Sequence, residues 1–189
     1  MTRIVAGKYR GRVLSVPASG TRPTSERVRE ALFSRLETWD ELREAQVLDL
    51  FAGSGALGIE AVSRGAISAT LVDFGQAAVN TLKANTAAVG EPKRFQIIRA
   101  DAVKFANTGG FNNYTLVFID PPYDFPAKDL ETLLTGLGAH LADNALVVLE
   151  ASKRTAEPLW PADYTLESFR DWGETRVWFV TYRKEDLDG

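Results

Sequence analysis

The sequence predicts an α/β fold: a mostly parallel sheet flanked by helices, closed by an antiparallel C-terminal hairpin and preceded by an N-terminal β-hairpin and helix. Three observations carry this prediction. From Gln46 onward, short apolar runs alternate with stretches of helical period. Those runs are almost continuously apolar, as strands covered on both faces are. Near the end of the chain, two adjacent strand-like runs meet around Gly173. A chain of 189 residues can form one such domain with a small extension.

The elements follow in order. Arg3–Gly7 and Arg12–Val16 alternate as hairpin strands do, with Gly7 and Gly11 at turn or bulge positions. After a loop holding Gly20 and Pro23, Thr24 or Ser25 can cap a helix whose apolar positions are Val28, Ala31, Leu32, Leu36 and Trp39. Strands are predicted at Val47–Phe51, Ala69–Asp73, Phe95–Arg99, Leu116–Asp120 and Ala145–Glu150. Helices are predicted near Ala56–Ser63, Gln76–Val89 and Lys128–Leu141. Tyr164–Trp172 and Glu174–Arg183 form the final hairpin. The four tryptophans read as core or edge packing, and His140, at a helix end, receives no function.

Composition excludes several classes. Without cysteine there is no disulfide framework and no thiolate metal site. A single histidine argues against imidazole-rich metal sites and a histidine-dependent hydrolase triad. Basic residues interrupt the first stretch, so it does not read as a secretory signal, and no run reaches the ~18 apolar residues of a membrane span. A cytoplasmic protein is expected. Charge is unevenly distributed: Met1–Arg35 holds eight basic and two acidic residues, the remainder 14 basic and 23 acidic. A basic segment on an acidic body is the footprint of a polyanion binder, or simply a solvated basic hairpin.

Asp49-Leu50-Phe51-Ala52-Gly53-Ser54-Gly55-Ala56-Leu57-Gly58 lies where the first parallel strand ends and a helix begins. Glycines there permit a sharp turn and close approach of a ligand, at the strand edge where open α/β sheets bind. Asp73, twenty residues after Gly53, ends the next strand and can accept hydrogen bonds from both ribose hydroxyls. The glycine spacing alone does not separate NAD from S-adenosylmethionine. Asp49 shifts the balance, because a carboxylate at that junction suits a cationic methionine end and repels a pyrophosphate. Asp101-Ala102, after the third strand, is placed to meet an adenine, although Asp101 serves equally as a helix cap.

Asp120-Pro121-Pro122-Tyr123 follows the buried strand Thr115–Ile119. Two prolines fix φ and remove two donors, leaving a stiff loop with outward carbonyls. Such a loop suits an exocyclic amino group of a nucleobase, whose lone pair is delocalised into the ring. The Asp120 carboxylate and the Pro121 carbonyl can accept both amino hydrogens and stabilise positive charge developing on nitrogen. Tyr123 can stack on the base. The pattern leaves adenine, guanine and protein glutamine open as acceptors, with the carboxylate leaning toward guanine.

Arg22-Pro23-Thr24-Ser25-Glu26-Arg27-Val28-Arg29-Glu30-Ala31-Leu32-Phe33, then Asp49–Ala61, then Asp120–Tyr123, all after the basic hairpin, resemble the bacterial 16S ribosomal RNA guanine-966 N2-methyltransferase family along nearly the whole chain. The resemblance implies a seven-stranded, Rossmann-like class I S-adenosylmethionine-dependent methyltransferase fold. It implies methylation of guanine N2 in 16S rRNA, within the small subunit or an assembly intermediate, with S-adenosylmethionine as cofactor. Asp49, Phe51, Gly53, Gly55, Asp73, Phe74, Asp101 and Ala102 would then hold the cofactor, and Asp120, Pro121, Pro122 and Tyr123 would be catalytic. Arg3, Lys8, Arg10 and Arg12 of the hairpin would hold RNA phosphates beside the catalytic edge, and Arg22, Thr24, Arg27 and Arg29 would sit near the cofactor mouth or the RNA, in residues 1–40 acting as an RNA-binding extension of a catalytic domain at 41–189. No metal and no membrane are expected, and a monomer is. Competing readings are an amino-methyltransferase with another substrate, an NAD-dependent oxidoreductase, and a catalytically silent RNA-binding module.

Overall fold

A computed structural model describes residues 1–18, 24–110 and 112–185. Two strands of two residues each, β1 (Thr2–Arg3) and β2 (Val13–Leu14), pair antiparallel ahead of helix α1 (Glu26–Thr38). The main sheet has seven strands: β3 (Gln46–Leu50), β4 (Ser68–Asp73), β5 (Phe95–Arg99), β6 (Tyr114–Ile119), β7 (Leu141–Ser152), β8 (Tyr164–Trp172) and β9 (Thr175–Tyr182). Their spatial order is β5-β4-β3-β6-β7-β9-β8; the first five run parallel, and β9 lies antiparallel between β7 and β8. Helices α2 (Ala56–Ser63), α3 (Gln76–Ala88), α4 (Ala102–Ala106) and α5 (Ala127–Leu137) fill the crossovers.

Both faces are buried at the central strands β4, β3, β6 and β7, which is why these read as nearly unbroken apolar runs, whereas the edge strands β5 and β8 carry exposed residues. Val47, Leu71, Phe118 and Val148 face a core shared with α1, α2 and the hairpin; Leu48, Val72, Val117 and Leu149 face α4 and α5. Period-2 alternation fixes these assignments. Phe33 of α1 meets Phe118 with ring centroids 5.6 Å apart. Ile4, Tyr9, Leu14, Leu32, Phe33 and Leu36 all belong to that one core, so the hairpin and α1 pack onto the sheet and, among the described residues, share its core.

Ser25, one of the two predicted caps, starts α1 by accepting from the Val28 amide at 3.2 Å. The N-terminal strands are shorter than the alternation predicts, because the hairpin spends its donors on α2. Lys8 N–H donates to the Ser63 carbonyl at 2.8 Å and Tyr9 N–H to Ser63 Oγ at 2.9 Å. Gly7 sits at φ +83, where a Cβ would fall 2.0 Å from the Ser63 oxygen. Only glycine lets the two backbones meet there.

Arg29 corrects an expectation. Its side chain is fully buried instead of facing RNA. It donates to Thr2 Oγ1 at 3.1 Å and to the Arg3 carbonyl, and lies 3.7 Å from Glu60. Glu60, equally buried, also accepts from the Val5 and Ala6 amides at 3.0 and 3.1 Å and pairs with Arg64 at 2.9 Å. One buried charge network thus joins the hairpin, α1 and α2.

Other departures are local. Helix α4 has five residues, too few to show a period, and Asp101 caps it through the Lys104 amide at 3.0 Å. Helix α5 ends at Leu137, and a 3-10 turn, Gly138–His140, leads into a β7 longer than predicted. His140 is buried and stacks on Phe105 at 5.2 Å, as a packing residue does. No helix among the described residues is long and apolar enough to cross a membrane.

Candidate active site

Each parallel strand that ends at the C-terminal edge beside the centre of the sheet carries an acid there. Asp73 closes β4, Asp49 lies one residue before the end of β3, Asp120 follows β6, and Glu150 lies in the last turn of pleat in β7. Register aligns them: Ile119 pairs with Leu149, so Asp120 and Glu150 follow side by side, while Asp49 pairs with Leu71 and Phe118, one step deeper. By alternation they continue the face covered by α1 and α2. A cleft of about 660 Å³ opens over Asp49, Asp120 and Glu150, with Asp73 outside its lining, and is walled by the segment Phe51–Ser54, the Asp120–Tyr123 loop, Thr24 and the tip of the β8–β9 hairpin.

The glycine loop is built by two of these acids. Asp73 Oδ2 accepts from the Gly53 amide and Oδ1 from the Gly75 amide, each at 2.9 Å. Asp49 Oδ2 accepts from Gly58 N–H at 3.0 Å, anchoring α2. Phe51 takes φ +59, a left-handed conformation costly for a large side chain, and its ring packs edge-on against Phe125 at 5.1 Å. That contact ties the glycine loop to the segment after Tyr123. At Gly55 and Gly58 packing leaves no room for a side chain. A Cβ on Gly55 would lie 2.8 Å from Leu82 Cδ2, and one on Gly58 2.4 Å from Leu71 Cδ2. Gly53 and Ser54 face the cleft instead.

Burial governs the electrostatics. It pushes the Asp49 carboxyl up to about 8, with Asp120 and Asp73 adding to the rise against the Gly58 hydrogen bond. Burial likewise raises Asp120 to about 6, opposed by Thr24. Glu150 is raised to about 8 by burial and by the charge of Asp120. Among the described residues none of these three carboxylates has a salt-bridge partner. The wall therefore favours a cation and disfavours a phosphate. This set of carboxylate acceptors fits the sulfonium and ammonium of S-adenosylmethionine; it does not fit the pyrophosphate of NAD.

The other predicted residues divide. Asp73, Phe74, Asp101 and Ala102 continue from the cleft along the ends of β4 and β5, with the Phe74 ring 69% exposed and Ala102 buried. Asp101 makes its capping bond and leaves its second oxygen free of partners among the described residues. Pro121 and Pro122 line the cleft, and the Phe125 amide donates to the Pro122 carbonyl at 3.0 Å to close the loop. Tyr123 is 96% exposed, its ring free to take a base.

Among the basic residues, Arg3, Arg10, Arg12 and Arg27 are exposed, and Arg22 lies outside the described residues. Lys8 pairs with Glu91 at 2.6 Å. Since Glu91 precedes β5 and Ser63 ends α2, the hairpin turn with Lys8 and Arg10 lies at the edge of the sheet opposite the acids. Their expected place beside the catalytic edge is corrected accordingly. Thr24 is turned inward, its hydroxyl 3.3 Å from Asp120 Oδ2 and 3.1 Å from both Glu150 oxygens. It lines the cleft beside these two acids. Glu150 and the hairpin-tip residues Trp172 and Glu174 are cleft residues that no motif marked. Glu150 carried one signal, an acid as the last apolar-run residue of a parallel strand.

The family profile described as Conserved hypothetical protein 95 matches residues 2–181. Ribosomal RNA small subunit methyltransferase D of Escherichia coli (strain K12) is 37% identical, over 97% of this chain and 90% of its own length. A protein of Bacillus subtilis (strain 168) described as a putative rRNA methyltransferase, YlbH, is 32% identical over 96% of this chain and 98% of its own. Among solved structures, a putative methyltransferase, yhhF, from Escherichia coli superposes with TM-score 0.85 at 34% identity, covering 97% of this chain and 99% of that one. Sheet order, glycine loop and proline loop are thus those of a class I S-adenosylmethionine-dependent methyltransferase fold. Because the match runs unbroken from the basic hairpin to the last strand, the chain belongs to the ribosomal RNA small subunit methyltransferase D family.

Proposed function

We propose that this protein transfers a methyl group from S-adenosylmethionine to the exocyclic N2 amino group of a guanine in the 16S rRNA of the small ribosomal subunit. The observation that carries the reading is Asp120: a half-buried carboxylate, raised by desolvation, at the head of a stiff proline loop, beside an exposed Tyr123, in a cleft walled by further acids. When bound, the cofactor supplies an electrophilic methyl group on a sulfonium. Asp49 and the backbone of Phe51–Gly53 would hold its methionine end, Asp73 its ribose, and Phe74, Asp101 and Ala102 its adenine.

The chain's own residues do the rest. Asp120 and the Pro121 carbonyl accept the two amino hydrogens of the target base, which localises the nitrogen lone pair and aims it. Positive charge appearing on that nitrogen falls against acceptors already oriented and shielded from water. Asp120 is the first acceptor of the proton the product must lose. Tyr123 stacks on the unstacked base. The first forty residues contribute an exposed basic surface, Arg3, Arg12 and Arg27 foremost, that holds phosphates of the small subunit or of an assembly intermediate. The protein acts as a monomer in the cytoplasm.

The test is transfer of labelled methyl to small subunits lacking the modification, followed by nucleoside analysis. N2-methylguanosine is expected, and N6-methyladenosine would overturn the substrate. Asp120→Ala should lower the rate by roughly 10² to 10³, the loss typical when one preorganised electrostatic partner of a transition state, such as an oxyanion-hole donor, is removed.

A further inference from the structure

Nothing in the chemistry above explains why this cleft should take guanine in preference to adenine, since both bases carry an exocyclic amino group that Asp120 can meet. Glu150 answers this. It is 8% exposed, lies in the cleft, and sits on the strand next to Asp120, side by side with it in register. Adjacent strands are about 4.8 Å apart, so the two carboxylates form a neighbouring pair. A hydroxyl has one hydrogen, and Thr24 is within hydrogen-bonding reach of Asp120 Oδ2 and both Glu150 oxygens. Of four carboxylate oxygens, at most one is therefore satisfied by Thr24, and among the described residues no other donor reaches either group.

A ligand edge that fits this pair must bring several donors in a row. Guanine does: N1–H and the two N2–H hydrogens stand on adjacent atoms, joined through C2. Adenine does not, because its amino group is flanked by N1, a bare acceptor that would face a carboxylate with no hydrogen between them. We propose that Glu150 is the specificity-determining residue of the site, its carboxylate accepting N1–H of the target guanine while Asp120 accepts from the amino group. The proposal rests on the reading of guanine N2 as methyl acceptor. At pH 9, above the value near 8 to which burial and the charge of Asp120 raise it, Glu150 is a carboxylate with no hydrogen to offer a bare N1, so the two bases are compared there.

The test uses 2-aminopurine, which retains the 2-amino group but has a bare N1. Small-subunit particles reconstituted with rRNA carrying guanine or 2-aminopurine at the target position are compared by kcat/KM. The full-length wild type should prefer guanine by at least about 100-fold, as sites built to bind a substrate N–H reject analogues lacking it. In Glu150→Gln the amide can turn its oxygen to N1–H or its NH₂ to a bare N1, so the preference should fall at least tenfold. Glu150→Ala should lose it as well, with slower transfer to both bases. Thermal melting controls for folding: Glu150→Gln removes a buried like charge and should melt no lower than wild type at pH 8. An unchanged guanine preference in both variants would overturn the proposal, since a residue acting only on the charge of Asp120 slows both substrates alike. Equal use of both bases by the wild type would also overturn it. A wild type that methylates neither base would instead sink the assignment of guanine N2 itself.

Discussion

Two buried glutamates flank helix α1, and they are treated in opposite ways. Glu60 is surrounded: Arg29 and Arg64 face it, and the Val5 and Ala6 amides donate to it. Glu150 has the hydroxyl of Thr24 and, beside it, another carboxylate. A saturated buried charge organises structure, whereas a starved one retains capacity for a ligand. The same distinction separates the two ends of the sheet. At the far edge the hairpin turn is closed by Lys8–Glu91 and the Ser63 contacts; at the C-terminal edge three carboxylates have no cation among the described residues.

The comparison breaks most visibly at Glu60. Glu60→Ala leaves Arg29 charged, buried and unpaired, and strips two amides of their acceptor. Removing one partner of a buried pair typically costs about 3–5 kcal/mol. A denaturant titration should show a loss of that size, and hydrogen exchange should show the hairpin amides of Val5 and Ala6 opening first. A loss below about 1 kcal/mol would mean the network is ornamental and that α1 is held by Leu32, Phe33 and Leu36 alone.

The acids at the other edge should do the reverse. Asp49 is faced by Asp120 from the end of β6, Asp73 from β4, Glu150 from β7 and the Gly58 amide from α2, with Arg29 of α1 along the same cleft but engaged by Glu60. Its carboxyl is raised from 3.8 to about 8 in the folded state. An acid raised on folding contributes its full stability below its unfolded value, near pH 4, and loses it as pH climbs through the folded value. The ligand-free protein should therefore lose melting temperature between about pH 4 and 8. Asp49→Asn should flatten that slope and exceed wild type at pH 8, by an amount on the order of a few kcal/mol. S-adenosylhomocysteine, which brings an ammonium group, should stabilise wild type more than Asp49→Asn. Identical pH slopes for the two proteins would show that Asp49 is ionised throughout.

What the sequence disclosed tracks how local each cause is. The strand at 69–73 was legible because a buried strand is largely apolar, and the edge strand at 95–99 because Phe95, Ile97 and Ile98 keep a short apolar run although Gln96 and Arg99 are exposed. The acids Asp49, Asp73 and Asp120 were legible because an ionisable residue terminating such a run is conspicuous. Arg29 was not, since a basic residue on α1 looks the same whether it faces water or Glu60, and its partner is 31 positions away on another helix. Helix α4 was too short for periodicity to register. Glu150 bore the same mark as Asp120 but no motif. Its meaning lies in the Ile119–Leu149 register and in Thr24, a contact spanning 126 residues.

The smallest effect concerns the basic surface, where location sharpens the contrast between the two edges. Arg27 is exposed in the first turn of α1, next to Ser25 and Val28 at the mouth of the cleft. Lys8 is exposed at the opposite edge and already engaged by Glu91. Each phosphate contact contributes close to one unit to the dependence of log K on log salt, and less on a single strand. Arg27→Ala should therefore reduce the slope for binding small-subunit rRNA by about 0.7–0.9, with a uniform loss across RNA sequences. Lys8→Ala should leave the slope unchanged within about 0.2, because its charge is spent inside the protein. Equal reductions for both variants would mean that the RNA wraps from the catalytic edge around to the hairpin turn. The basic hairpin would then be a second anchoring surface, and the saturated edge of the molecule would share in binding after all.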